Sequence, residues 1–340
     1  MNLRFEHMVL PLRKLLIYLF LIFLGGCNKS HETYQPTGTG LSSNVYLSND
    51  TLRVLCTQDQ FQLTVKFTEE FQKCHGKLIT EISIYERVIP REIMSLGKND
   101  LALVSDAYAP DIPDDGWRTK YARDGVIGII NKSNPFCTSI MESGLSKQQL
   151  AFLLTGVKSD GSKQVNGYDQ YRPIKVFICS DEFLPCKLWT DFLGITLSDF
   201  MGVRTATMQD MIDSIRMNLL SMGFCCQRYA YDPLTRMEIE EIKVIPIDCN
   251  ADGTLENKEK FYDNLDMLRR AMWLGKYPCH SFLNYYIFAS ERPTNRTHID
   301  FIKWVLTEGQ KTLHDEGYIM LHTQNINTEM NKLNELLASL

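Results

Sequence analysis

The stretch over residues 122–156 constrains the fold of this chain most. The apolar run of residues 126–130 predicts a buried strand, and the Asn-Lys-Ser-Asn-Pro segment that closes it predicts a turn. A helix should follow, because Ser146 and Gln149 can form a capping box at its start and Gly156 can end it in the left-handed conformation. We interpret the stretch as a strand that crosses into a second lobe, which it enters through that helix.

Length and composition agree with two lobes. A chain of 340 residues is too long for one small core, and its 44% hydrophobic and 23% charged residues are typical of a globular protein. The net charge of −5 gives no sign of a nucleic-acid partner. Strand and helix patterns alternate over residues 52–104, which predicts an open, mostly parallel α/β sheet. Further along we predict a strand over 242–247 and helices over 258–274 and 299–313.

The N-terminus has the pattern of a lipoprotein signal peptide. Basic residues precede an unbroken apolar run over residues 15–24, and two glycines and Cys27 follow. The run is shorter than the roughly 20 residues that span a bilayer, and a retained membrane anchor is the alternative interpretation. The order of these features resembles the bacterial lipobox, which implies that Cys27 carries lipid. We therefore predict a signal peptide over residues 1–26, a polar tether over 27–47, and an extracytoplasmic location on the cell envelope.

The other nine cysteines give no motif for a metal or redox site. No C-x-x-C pair occurs among them, which disfavours a zinc ribbon or a thioredoxin-type motif. We expect most of them to be buried thiols and leave one or two disulfides open. A Cys/His hydrolase is the enzyme alternative, but adjacent residues such as Cys279 and His280 rarely form a nucleophile–base pair. The prediction is therefore a protein without enzymatic activity.

Three segments together resemble the phosphate-binding subunit of ABC phosphate importers. They are YARDGVIGIINKSNP…LSKQQLAFLLTG, SMGF…YAYD and FIKWVLTEGQKTLHDEGYIML. The resemblance implies the type II periplasmic-binding-protein fold, which has two α/β lobes joined by two crossover strands and closes about a ligand. It places lobe 1 at residues 48–128 plus 288–340 and lobe 2 at residues 129–287. The crossovers would lie near residues 124–130 and 284–289.

The resemblance also implies a function and a ligand site. Such a subunit binds a small solute, phosphate or another, and presents it to an ABC permease without covalent chemistry and without a required cofactor. The lipid on Cys27 would hold it at the membrane. The ligand would lie on the turns that follow the first strands of each lobe. The candidate ligand-binding residues of this chain on those turns are Thr57, Ser105, Asp106, Ser180 and Asp181.

The same turns diverge from the family's pattern. Larger residues replace the glycines and small residues expected there, and they block the close approach of the backbone to an anion. Four acidic residues add negative charge: Asp59, Asp106, Asp181 and Glu182. Each close pair of like charges costs on the order of 1 kcal/mol. The ligand site is therefore predicted to be divergent, with phosphate as one candidate among small solutes.

A degenerate binding-protein relative is the alternative. It would bind no small solute and would act as an interaction or assembly protein at the envelope. A cleft that is open around Thr57 and the two serines would favour solute binding. A cleft filled by Tyr108, Phe183 and Leu184 would favour the interaction protein.

A second motif, DCNADGTLENKE over residues 248–259, matches the calcium-loop pattern. Such a loop needs oxygen ligands at alternate positions, a glycine for the tight turn and a closing carboxylate. The ligands would come from Asp248, Asn250, Asp252, Thr254, Glu256 and Glu259. The loop follows a predicted strand, so half of the usual helix–loop–helix frame is missing, and an acidic turn that caps the next helix is the alternative. We predict calcium here as a structural ion.

Overall fold

The computed structural model describes most of the chain from residue 51 onward, without the side chains of residues 85, 183, 184, 336 and 337. The described residues are 51–76, 78–85, 97, 100–106, 116–156, 171, 173–179, 183–280 and 282–338. The predicted signal peptide, tether and lipidated Cys27 lie outside them, as do Tyr108, Ser180, Asp181 and Glu182.

Strands and helices alternate through the described part of the chain. The strands are β1 (Thr51–Thr57), β2 (Ile79–Tyr85), β3 (Asp100–Ser105), β4 (Trp117–Asn131), β5 (Leu145–Ser146), β6 (Lys175–Cys179), β7 (Val203–Thr205), β8 (Ser221–Cys226), β9 (Ile242–Val244), β10 (Ile247–Asp248), β11 (Phe282–Ala289) and β12 (Ile319–Met320). The α-helices are α1 (Phe61–His75), α2 (Cys137–Ser143), α3 (Lys147–Thr155), α4 (Phe183–Leu193), α5 (Met208–Met217), α6 (Leu265–Trp273), α7 (Arg296–Leu306), α8 (Gly309–Asp315) and α9 (Thr323–Ala338).

One sheet of ten strands passes through both lobes by way of β4. In lobe 1 the order is β2-β1-β3-β11-β4, with β1 parallel to β2 and β3 and with β11 antiparallel to its neighbours. In lobe 2 the order is β4-β8-β6-β7, with β6 parallel to β7 and β8. The short strands β9 and β12 pair with β4, and β5 pairs with β10 in a separate sheet. The α/β architecture and the parallel pairing of β1, β2 and β3 agree with the sequence prediction, whereas the strands that pair with β4 are antiparallel.

Each lobe has its own hydrophobic core. In lobe 1, Phe67 and Phe71 of α1 meet Trp304 and Phe301 of α7 edge to face, because each helix turns one apolar stripe toward the sheet. The second cluster lies within residues 126–279, with Ile319 as an addition from β12. Two separate hydrophobic clusters are expected for a fold in which two lobes share one strand.

β4 is the strand that crosses between the lobes. It pairs with β11 up to Gly125 and with β8 from Val126 onward. At Gly125 an added Cβ would lie 2.3 Å from Met272 Sδ, so a larger residue would require the Met272 side chain of α6 to move. β11 lies in the lobe 1 sheet, and its first residues adjoin the same point of β4. The predicted crossover segment 124–130 thus lies in β4, and residues 284–289 of β11 pair with residues 117–123 of the same strand.

The helix predicted over residues 258–274 is wrong in its first half. A 3-10 helix occupies Asn257–Glu259, and α6 begins only at Leu265. The side chain of Asn264 accepts a hydrogen bond from Met267 N and so caps α6. Phe261 and Tyr262 are buried and stacked on each other in the connecting loop.

Two other predicted elements are interrupted. The strand over 242–247 is split into β9 and β10 around Pro246, which has no N–H to donate to a neighbouring strand. The helix over 299–313 is split into α7 and α8 at Thr307, whose backbone leaves the helical region with φ −115° and ψ −90°. The Thr307 hydroxyl donates to Lys303 O and so competes with helix continuation.

Seven of the nine cysteines beyond Cys27 are buried, as predicted, and Cys74 and Cys249 are exposed. None of the helices within the described ranges is long and apolar enough to cross a membrane.

Candidate functional site

The turn after β1 places three polar side chains beside the crossing point of the lobes. Thr57 ends β1, and the 3-10 helix Gln58–Gln60 leads directly into α1. Thr57 Oγ1 donates to Asp59 Oδ1 at 2.5 Å, and Gln60 Nε2 donates to Asp59 Oδ2 at 2.8 Å. Thr57 and Gln60 are fully buried, and the Asp59 side chain is 5% exposed. The predicted residue Thr57 is thus part of a buried polar turn.

Arg228 reaches this turn from lobe 2. It follows β8, and its guanidinium Nη2 lies 3.5 Å from Asp59 Oδ2. Its Nε lies 3.2 Å from Oδ2 of the fully buried Asp124 in β4, close enough for an ion pair although not in hydrogen-bonding geometry. The guanidinium also lies over the rings of Tyr229 and Tyr318, at 4.4 and 5.2 Å from their centroids. Asp59, Arg228 and Asp124 form a charge cluster that joins both lobes to the crossing strand.

Further polar groups converge on this charge cluster. Tyr285 of β11 packs its ring against Tyr121 and Tyr318, and it sits opposite Ser105 in the pairing of β11 with β3. Ser105 and Tyr285 are fully buried, and neither Ser105 Oγ nor Tyr285 Oη has a hydrogen-bond partner among the described residues. Such groups are costly to bury without a partner. The predicted residue Ser105 therefore brings an available hydroxyl to the lobe junction.

Asp106, in contrast, is engaged by the second crossover strand. Asn284 of β11 donates to it twice, from N to Oδ1 at 2.9 Å and from Nδ2 to Oδ2 at 2.8 Å. Burial raises the pKa of the Asp106 carboxyl above its ordinary value, against the opposing effect of these bonds and of Lys120. In this arrangement Asp106 ties the turn after β3 to β11.

A groove lies between α6 and β12, apart from the lobe junction. Its lining residues are Asp266, Arg269, Arg270, Trp273, His314, Ile319 and Met320. Arg269 Nη1 already donates to His314 O at 2.9 Å and lies 3.7 Å from Asp266 Oδ1. Burial lowers the pKa of Arg269 to about 10. The groove charges are largely used in holding α6 and α8 together, so the lobe junction is the better candidate site.

The predicted calcium loop is closed by its own hydrogen bonds. Asp248 accepts from Ala251 N at 2.8 Å and from Gly253 N at 2.9 Å. Glu259 accepts from Cys249 N and Glu256 N, each at 3.0 Å. Asp252 Oδ1 accepts from Thr254 N and Oγ1 at 2.9 and 2.7 Å. No group of three or more metal-binding side chains is assembled in the described part of the chain, and calcium stays a prediction.

Sequence reasoning missed several members of the junction. Asp124, Arg228, Gln60 and Tyr285 come from separate segments of the chain, and no motif assigns any of them a ligand role. Two signals could have found them: a carboxylate directly before the apolar run of β4, and an arginine between the buried Cys226 and the aromatic Tyr229. Of the predicted ligand residues, the structure brings Thr57 and Ser105 toward the junction. Ser180 and Asp181 lie outside the described residues.

A curated relative is similar to part of the chain in sequence. No family model matches the chain. Over 221 residues the chain is 23% identical to the phosphate-binding protein PstS of Staphylococcus saprophyticus, a match that covers 64% of this chain and 62% of that protein. The chain thus spans less than two thirds of the length of this curated relative.

Solved structures show the fold. A substrate-binding protein of a phosphate ABC transporter from Clostridium perfringens, solved with bound phosphate, matches with TM-score 0.55 and 14% identity over 80% of this chain and all of that one. An ABC-type phosphate transport receptor from Vibrio cholerae matches with TM-score 0.50 and 16% identity over 79% of this chain and all of that one. The chain has the type II periplasmic-binding-protein fold and resembles phosphate-binding proteins of ABC importers.

Proposed function

We propose that this chain is an extracytoplasmic solute-binding protein that captures a small solute between its lobes and presents it to an ABC permease. The observation that carries the proposal is the charge cluster of Asp59, Arg228 and Asp124, with the buried hydroxyl groups beside it, at the junction of a binding-protein fold. Polar groups that converge where two lobes meet are typical of a ligand site.

The mechanism is recognition without covalent chemistry. β4 and the start of β11 adjoin at the crossing point and would act as the hinge, and the lobes would close over the solute as in other two-lobe binding proteins. Donors from both lobes, Thr57 on one side and Arg228 on the other, would then contact the same solute. Phosphate is the first solute to test, because the curated relative and the Clostridium perfringens protein are named for it.

A thermal-shift and calorimetry panel tests the proposal. Phosphate, sulfate, other oxyanions, amino acids and neutral sugars are added to the purified protein, with sodium chloride at matched ionic strength. A cognate solute at about 100 times its Kd adds about 2.7 kcal/mol to the free energy of unfolding. The shift should persist in Ser146→Ala, a variant in lobe 2 away from the junction. No shift with any solute in the panel would contradict the proposal.

We also propose that lipid on Cys27 anchors the protein at the outer side of a membrane, as the lipobox-like sequence suggests. Metabolic labelling with a radioactive fatty acid should mark the wild-type protein, and the protein should fractionate with membranes. Cys27→Ser should lose the label. Equal labelling of both proteins would contradict the anchor.

A further inference from the structure

The Asp59 carboxylate is held by the kinds of donor that bind an oxyanion. A hydroxyl from Thr57 reaches Oδ1 at 2.5 Å, and an amide from Gln60 reaches Oδ2 at 2.8 Å. The guanidinium of Arg228 lies 3.5 Å from the same Oδ2. Hydroxyl, amide and guanidinium donors together are a donor set for a carboxylate or phosphate group.

The rest of the fold holds these donors in place without the help of Asp59. Gln60 is fixed at its other end, because Tyr121 Oη donates to Gln60 Oε1 at 2.9 Å and leaves Nε2 facing Asp59. Arg228 is held by the ring contacts described above and donates to Tyr229 Oη at 3.0 Å. Thr57 is the last residue of β1 and is fully buried. The donor set is therefore preorganised for an anion.

We propose that Thr57, Gln60 and Arg228 form an oxyanion site that the chain fills with its own Asp59 carboxylate. An anionic solute enters this site by displacing Asp59, whose side chain turns away about its own torsions. This inference rests on the proposed function, since it takes the lobe junction as the solute site, and it adds a specificity rule. The displaced carboxylate stays close to the arriving anion, so the wild-type protein holds a small oxyanion much more weakly than the donors alone would.

Removing the carboxylate should create an anion site that can be filled from solution. We expect full-length Asp59→Ala to bind sodium formate or inorganic phosphate at least tenfold more tightly than the wild-type protein, measured by calorimetry against sodium chloride. Formate reports on the carboxylate geometry, and phosphate reports on the tetrahedral oxyanion. Asp59→Asn is the matched control: its amide fills the same space, so it should gain no formate affinity. Equal formate and phosphate affinities in Asp59→Ala and wild type would overturn the inference.

Two further measurements keep the test decisive. In the Asp59→Ala background, Thr57→Val should reduce the gained affinity because it removes one donor, and an unchanged affinity would count against the site. If Asp59→Ala is poorly folded, its refolding yield should rise with formate but not with chloride at equal ionic strength. A refolding yield that is the same in formate and in chloride would overturn the inference.

The outcomes separate this inference from the proposed function. A wild-type protein that binds a panel solute, together with an Asp59→Ala variant that gains no anion affinity, would retain the function and remove the inference. A variant that gains formate affinity, beside a wild-type protein that responds to no solute, would retain the oxyanion site and remove the function.

Discussion

Tyr121 and Tyr285 show at the residue scale how differently two buried tyrosines can be placed in one site. Both are fully buried, and their ring centroids are 6.2 Å apart. Tyr121 Oη donates to Gln60 Oε1, whereas Tyr285 Oη has no partner among the described residues. Burying a hydroxyl without a hydrogen-bond partner costs its desolvation free energy, and no hydrogen bond compensates for that cost.

We therefore expect Tyr285→Phe to leave stability unchanged or to raise it by up to about 1 kcal/mol, and Tyr121→Phe to lower it by about 1–2 kcal/mol. Urea unfolding of the two single variants measures both values. The pair is matched in residue type and burial, so the hydroxyl's partner is the main difference between them. A larger loss in Tyr285→Phe than in Tyr121→Phe would show that the Tyr285 hydroxyl is engaged in solution. A loss of solute affinity in Tyr285→Phe at unchanged stability would make it a ligand contact.

Glu259 closes the acidic loop through two backbone N–H groups and is 2% exposed. In Glu259→Gln the amide nitrogen must face one of these donors, so we expect a loss of about 1–3 kcal/mol in unfolding free energy. Glu256→Gln, at an exposed position of the same loop, should change it by less than about 0.5 kcal/mol.

Glu259→Gln, compared with the wild-type protein, also tests the predicted calcium site. Hydrogen bonds to N–H groups need no cation, so the loss in Glu259→Gln should be the same in the presence of a chelator. A rise in the wild-type Tm on adding calcium, absent in Glu259→Gln, would instead mean that these carboxylates rearrange into a cation cage.

At the element scale, the capping box of α3 is a feature that the sequence predicts correctly in atomic detail. Ser146 Oγ accepts from Gln149 N at 3.3 Å, and Ser146 N donates to Gln149 Oε1 at 2.7 Å. Gly156 ends the helix with φ 66°, in the left-handed conformation expected of it. Caps are predictable because all their atoms lie within a few residues of each other.

Ser146→Ala should lower the unfolding free energy by about 1 kcal/mol, since it removes one arm of that capping box. Ser139→Ala, at an exposed position of α2, is the control and should change stability by less than about 0.5 kcal/mol. Thermal or urea unfolding measures the difference. Equal effects of the two substitutions would mean that the cap contributes nothing in solution.

The first half of β4 shows why other elements could not be predicted. Residues 117–125 carry Arg118, Lys120 and Arg123, and a strand with so many charges does not have the pattern of a buried one. The structure places these charges over aromatic rings of β11: Arg118 and Lys120 lie 5.8 Å from the Tyr286 centroid, and Arg123 lies 4.8 Å from that of Phe282. Such cross-strand contacts depend on pairing between distant segments, which a local pattern does not reveal.

The candidate site was unpredictable for the same reason. Thr57 and Ser105 could be named because they lie on turns where the resemblance implies a ligand site. Arg228, which supplies the positive charge, lies in another lobe and becomes relevant only when the lobes meet. The fold can thus be predicted from the order and spacing of the sequence segments. The chemistry of the junction cannot, because it depends on which distant side chains the fold brings together.

At the scale of the whole molecule, Arg228 joins the two lobes. Its removal leaves the carboxylates of Asp59 and Asp124 buried without the guanidinium between them. Breaking a buried ion pair by deleting one partner typically costs 3–5 kcal/mol, and we expect a loss of about that size in Arg228→Met. Loss of the contact from Arg228 in lobe 2 to these two carboxylates in lobe 1 should also favour a more open arrangement of the lobes.

Urea unfolding measures the loss, and small-angle X-ray scattering measures the expected rise in the radius of gyration. Arg296→Met is the control, because Arg296 pairs with Asp300 at an exposed position. Exposed pairs contribute at most about 1 kcal/mol. An Arg228→Met protein with wild-type stability and dimensions would show that Arg228 does not hold the lobes together.

Because β4 passes through both lobes, it also affects the order in which the sheet can form while the chain is being synthesised. A nascent chain emerges N-terminus first, so residues 126–279, which hold nearly all of the second core, are made before β11. Until β11 arrives, β3 and β4 each present an open edge, of the kind that recruits other strands. β11 pairs with both, and its insertion seals the two edges of the unfinished sheet in one step.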